Sequence, residues 1–125
     1  MFKRFFSKDI DIPTLRLSGV IGQAGIARSG LTITGMEKLI EKLFADKKAP
    51  AVALIINSPG GSPTQSSLIA EKIINLAREK NKKVYAFVED VAASGGYWLA
   101  CSADEIYLDL NSIVGSIGVI SPGFG

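Results

Sequence analysis

The chain has 125 residues, is 47% hydrophobic and 21% charged, and holds 14 basic against 12 acidic side chains for a net charge of +2. These values fit one globular domain with a real core, and the near-balance of charge gives no reason to expect nucleic acid as a partner. A single cysteine, Cys101, excludes an internal disulfide, and the absence of histidine removes the commonest metal ligand, so no metal site and no cofactor are expected.

The N-terminal segment carries Phe2, Phe5 and Phe6 among Lys3, Arg4 and Lys8, without the apolar stretch of a secretory signal. It reads either as a peripheral contact with an anionic membrane surface or as a frayed terminus, with residues 1–12 expected to be flexible. No run reaches the ~18 apolar residues of a membrane span. The expected location is therefore cytoplasmic or membrane-peripheral rather than secreted.

Thr14 to Ile21 alternates polar and apolar residues after Pro13, the pattern of a strand, and glycine-containing sequence from Gly22 to Gly30 reads as a loop. Thr34 and Glu37 have the spacing of a capping box, and Met36, Leu39, Ile40, Leu43 and Phe44 form one apolar helical face, with Pro50 as the stop. Ala51 to Ile56 is an uninterrupted apolar run, as in a parallel strand covered on both faces.

Asn57-Ser58-Pro59-Gly60-Gly61 then turns the chain into a second helix. Ser62 is its expected N-cap, Pro63 its first residue and Gln65 the other half of a capping box. Ile69, Ile73, Leu76 and Ala77 form its inward stripe, and Asn81 its end. Val84 to Val88 reads as a strand, followed by a turn at Ser94 and a short apolar helix to about Ala100. Glu105 to Leu108 and Ser116 to Ile120 read as two more strands. The alternation of strands and helices is that of an α/β fold with crossover connections.

Two glycine-rich turns carry the chemistry. Asn57 to Gly61 precedes a helix N-terminus, where an unobstructed Gly61 amide can stabilise an oxyanion, an effect worth ~3–4 kcal/mol where such donors have been deleted. The same sequence also suits an ordinary strand-to-helix turn. Ser94, in Ala92-Ala93-Ser94-Gly95-Gly96-Tyr97-Trp98, reads either as a helix N-cap or as a displayed nucleophile. With no histidine in the chain, its base would be a lysine. Both turns fall at the carboxyl edge of the expected sheet, so Ser94, the Gly95 amide and the Gly61 amide can converge on one carbonyl. Tyr97, Trp98 and Leu99 are expected to pack into the core, Cys101 to be a buried small residue, and Asp90 to sit in a turn.

These two motifs, followed by Gly115-Ser116-Ile117-Gly118-Val119, resemble peptidase family S49, the signal peptide peptidase A and protease IV type enzymes of the Clp protease/crotonase superfamily. The resemblance runs from about Leu15 to the last residue. It implies a ClpP/crotonase-like α/β fold with mainly parallel strands, and a serine endopeptidase of Ser–Lys type acting on extended apolar peptides such as remnant signal peptides. It implies Ser94 as nucleophile, Gly61 and Gly95 as oxyanion amides and Ser116 as the hydroxyl that orients the lysine. Gly60, Ser62, Gly118 and Val119 would line the peptide groove, and the protein would be a homo-oligomer. The family's general-base lysine falls beyond Gly125 or in another half of the chain, and Lys38, Lys42, Lys72, Lys80, Lys82 and Lys83 read as solvated. The 125 residues are therefore expected to be one domain, incomplete at its C-terminal end. Two readings from other classes stand beside this one: a crotonase-like acyl-CoA enzyme using the same two amides, and a non-catalytic peptide-binding member.

Overall fold

The computed structural model describes residues 10–23 and 30–115. Their elements in chain order are β1 (Thr14–Ser18), α1 (Ile33–Leu43), β2 (Ala51–Ser58), α2 (Pro63–Lys80), β3 (Lys83–Ala93), α3 (Gly95–Ala100), β4 (Glu105–Leu108) and β5 (Ile113–Gly115). The strands form one sheet in the order β1-β2-β3-β4, every pair parallel, with β5 also parallel to β3 beyond the end of β4. Each crossover steps one strand in the same direction, and same-handed crossovers of that kind leave every helix on one face.

That face holds the core. Leu17, Val52, Leu54, Ile56, Val84, Ala86 and Val88 pack against Met36, Ile40 and Leu43 of α1, Ile69 and Ile73 of α2, and Leu99 of α3. On the other face one register row runs Arg16, Ile55, Phe87, Tyr107. Phe87 and Tyr107 stack there with ring centroids 5.4 Å apart and remain 44% and 48% exposed. The expectation that β2 is covered on both faces holds for its first half, where Ala51 and Ala53 are buried on this face too, while Ile55 and Asn57 beyond them are half-buried.

Helix ends differ from the expected ones where a longer-range partner intervenes. α1 starts earlier than the Thr34 box implies: Thr32 is the N-cap, and its side chain accepts from the Gly35 amide. The helix also ends at Leu43, well before Pro50, and Leu39 lies at the stripe's edge, 48% exposed. Ser62 caps α2 as expected, accepting from the Gln65 amide at 3.2 Å. The Gln65 side chain does not close the box, however; its Oε1 accepts from the Ile33 amide at 2.7 Å and so joins the starts of the two helices. Asn81 ends α2 in the left-handed conformation, φ 53° and ψ 54°.

β3 is longer than Val84–Val88, and Asp90 lies within it rather than in a turn. Cys101 is exposed, not buried, because at the C-cap of α3 it faces out while Leu99, Ala100 and Ser102 take the inward positions. Leu99 enters the core as expected, whereas Trp98 stays 39% exposed. The expected strand Ser116–Ile120 and the aromatic residues Phe2, Phe5 and Phe6 lie outside the described residues; β5 is a strand the sequence reading did not contain.

Candidate active site

The site is built at the carboxyl ends of β2 and β3. Beyond Ser58 the chain passes through Gly60 at φ +102° and Gly61 at φ +148°, conformations that favour glycine. Ser58, wholly buried, accepts from the Gly60 amide through its Oγ at 3.1 Å and so folds the turn back on its own strand. On the β1 side, the Ile21 amide donates to Gly60 O and the Ser62 amide donates to Ile21 O, both at 2.9 Å. In such a parallel bridge the groups of Gly61 itself point away from Ile21. The Gly61 N–H has no acceptor among the described residues.

Ser94 joins β3 to α3 with φ 53° and ψ −120°. A non-glycine residue held there stores of order 1–3 kcal/mol of strain. A serine serving as an N-cap would be extended and would bond an amide of the first turn; Ser94 does neither. Its backbone is clamped instead by its N–H, which donates to Gly115 O at 2.7 Å, and by its carbonyl, which accepts from Trp98 N at 3.1 Å. A strained serine between a strand and a helix is the geometry of a nucleophile elbow.

The two turns touch. A Cβ added at Gly60 would stand 2.8 Å from Ser94 Cβ and 3.0 Å from Gly95 N, so only a glycine lets the turn lie against the serine. Gly95 backs onto Ser66 of α2, and Gly96 onto the Ser58 carbonyl. These close approaches seat α3 on α2 and β2 and leave the Gly95 nitrogen, also without an acceptor among the described residues, beside Gly60. Ser94 and Gly95 thus lie against Gly60, with Gly61 and Ser62 the next residues of the same turn, while Ser116, Gly118 and Val119 lie outside the described residues.

No described lysine bonds Ser94. Lys72 is paired with Glu41 at 2.8 Å, Lys82 donates to the Asp46 carbonyl, and Lys38, Lys42, Lys80 and Lys83 are exposed. Among the described residues no group of three or more His, Cys, Asp or Glu side chains could hold a metal ion. The buried hydroxyls Ser58 and Ser66, which shape the site from behind, were not singled out by the sequence reading; for Ser58 the signal was its place inside the Asn57–Gly61 motif.

A ClpP1 variant (N165D) from Listeria monocytogenes superposes with a TM-score of 0.55 at 18% identity, over 82% of this chain and 52% of that one. The fold is therefore ClpP-like. The model of peptidase family S49 matches residues 76–124. A protein of Arabidopsis thaliana named as the chloroplastic serine protease SPPA is 37% identical over 127 aligned positions, covering 89% of this chain and 18% of its own. A Brucella melitensis protein named as the Na(+)/H(+) antiporter NhaA is 54% identical over 124 residues, 98% of this chain and 17% of its own. That name belongs to a protein of which the matched stretch is a small part, and no helix among the described residues here is long and apolar enough to cross a membrane. The chain belongs to peptidase family S49, and it spans less than a fifth of either of these two relatives.

Proposed function

We propose that this chain carries the nucleophile and oxyanion half of a serine endopeptidase site of Ser–Lys type. The observation that carries the reading is Ser94 itself, strained, free of any capping bond and in contact with the Gly60–Gly61 turn. A crotonase-type site needs two amides and no hydroxyl, and offers no reason for that strain.

In the proposed reaction an extended peptide lies against Gly60, Ser62, Gly118 and Val119, presenting one carbonyl to the turn. Ser94 Oγ attacks the carbonyl carbon while a neutral lysine amine, supplied from outside the described residues and oriented by Ser116, takes the hydroxyl proton. Burial must lower that lysine's pKa for it to be neutral. The Gly61 and Gly95 N–H groups stabilise the tetrahedral oxyanion. Collapse expels the amine of the leaving peptide, which receives the proton from the lysine, and leaves an ester on Ser94 that water then hydrolyses.

Apolar peptides such as signal-peptide remnants are the proposed substrates, with a homo-oligomer as the working form. Phe2, Phe5 and Phe6 are the proposed contacts with a membrane surface. The test is labelling of the full-length protein by a fluorophosphonate probe. Labelling is expected in the parent and absent in Ser94→Ala; undiminished labelling of Ser94→Ala removes Ser94 from the role.

A further inference from the structure

Ser94 faces Gly60 because β2 and β3 do not keep one register. Ile56 pairs with Val88, but the next pair is Ser58 with Ala92, two steps along β2 against four along β3. An unbroken ladder would set Ser58 opposite Asp90 and carry Ser94 past the glycine turn. The two extra residues shift β3 by about 6–7 Å at the usual rise of a strand, which returns Ser94 to the level of Gly60. The nucleophile's height above the oxyanion turn is thus decided at the irregularity Glu89-Asp90-Val91.

One side chain spans that irregularity. Asn57, opposite it on β2, accepts from the Val91 amide through Oδ1 at 3.2 Å and donates through Nδ2 to Asp90 Oδ2 at 3.3 Å. The carboxamide thereby takes the place of a missing rung of the ladder, satisfying the amide that the extra residues leave unpaired. From the other edge Ser112 Oγ donates to Glu89 O at 2.6 Å, immediately before β5 begins its pairing with Val91. Arg16 of β1 reaches across to the Glu89 carboxylate.

We infer that Asn57 and Asp90 are positioning residues, a hydrogen-bonded brace that holds the β3 register shift and so sets Ser94 opposite Gly60. The inference rests on the proposed role of Ser94. It needs Asn57 for both ends of its amide: the oxygen for Val91, the nitrogen for Asp90. A side chain of equal size with two acceptors keeps the first contact and sets a carboxylate against a carboxylate at the second.

The experiment compares Asn57→Ala, Asn57→Asp and the exchange Asn57→Asp/Asp90→Asn in the full-length protein, with Ser94→Ala as the control. Displacement of a reacting group by an ångström can lower a rate about a hundredfold, so Asn57→Ala is expected to slow fluorophosphonate acylation about 10- to 100-fold, with KM for a peptide ester within about twofold. Asn57→Asp is expected to be similarly slow. The exchange restores donor and acceptor with their roles reversed and is expected to recover acylation to within about threefold of the parent, a coupling that volume alone does not produce. An Asn57→Asp variant as fast as the parent, or an exchange no faster than Asn57→Asp alone, overturns the inference. Should Asn57→Ala fail to fold, the two isosteric variants carry the comparison. Labelling that survives Ser94→Ala would defeat the nucleophile reading, and the brace is then still judged by hydrogen exchange at Val91. That amide is expected to exchange faster in Asn57→Asp than in the exchange variant, and equal rates refute the brace.

Discussion

The contact between α2 and α3 permits a quantitative test, because Gly95 has almost no room behind it. A Cβ at position 95 overlaps Ser66 Oγ, and that hydroxyl is buried and donates to Ser62 O at 2.7 Å. In Gly95→Ala Ser66 must turn away, giving up a hydrogen bond worth about 1 kcal/mol, and α3 still lifts from α2 with an overpacking strain of about 1–3 kcal/mol. About 3 kcal/mol of destabilisation is expected from the single change. Ser66→Ala alone loses one hydrogen bond to a carbonyl that still accepts the Ser66 amide, and should cost about 1 kcal/mol. In the double variant the nearest atoms to the new methyl become Ile21 Cδ1 at 3.0 Å and Ser66 Cβ at 3.3 Å, contacts that a terminal methyl can ease. The pair should therefore cost about 2 kcal/mol, well below the additive value of about 4 kcal/mol. Urea denaturation of the four proteins measures this directly through the midpoint at constant slope. Additive losses, or a Gly95→Ala protein as stable as the parent, would refute the idea that Ser66 is what excludes a side chain at position 95.

Ser58→Ala strips the buried Gly60 amide of its acceptor and is expected to cost about 1–3 kcal/mol, read by thermal melting, with slower acylation from a loosened turn; an unchanged melting temperature contradicts it. Gln65→Ala removes the acceptor of the Ile33 amide and should destabilise by about 1 kcal/mol and speed exchange at the first turn of α1, whereas loss confined to α2 would refute the cross-helix role. Asn81→Ala removes the short polar side chain that eases the left-handed backbone and should cost about 1 kcal/mol, while Asn81→Gly should be neutral or slightly stabilising; equal stabilities in denaturant count against the assignment. The hydrogen-bonded Lys72 ammonium holds the Glu41 carboxyl below its ordinary 4.5, and the same bond lifts Lys72 above 10.5. The Glu41 contribution to stability is thus present above pH 4.5 and lost as pH falls through its lowered folded value, while that of Lys72 is present below pH 10.5 and lost as pH rises through its raised one. An NMR titration of Lys72→Met should move the Glu41 midpoint upward, and an unmoved midpoint would show that Lys72 is not the cause.

Much of the fold was legible because its determinants are local. Ser62, Pro63 and Asn81 mark both ends of α2 through interactions within a turn of chain, and the apolar run at Ala51–Ile56 is a buried strand whatever it pairs with. The glycines at 60 and 61 likewise announce a turn that other residues adopt with strain. Where a partner distant in sequence competes, the local reading fails: Gln65 caps α1 instead of its own helix, Cys101 faces out, and Asp90 is drawn into β3 by Asn57. For Ser94 the sequence determined its type, its glycine neighbours and the absence of a histidine partner, but left cap and nucleophile open. The tertiary structure removed the capping role, and it supplied two things that no window of sequence contains. One is the backbone strain at Ser94, sustained by the clamp from Gly115; the other is the register shift beside Asn57 that brings the serine against Gly60. Both depend on which strands lie side by side and at what offset, and that offset is an energy balance over the whole sheet.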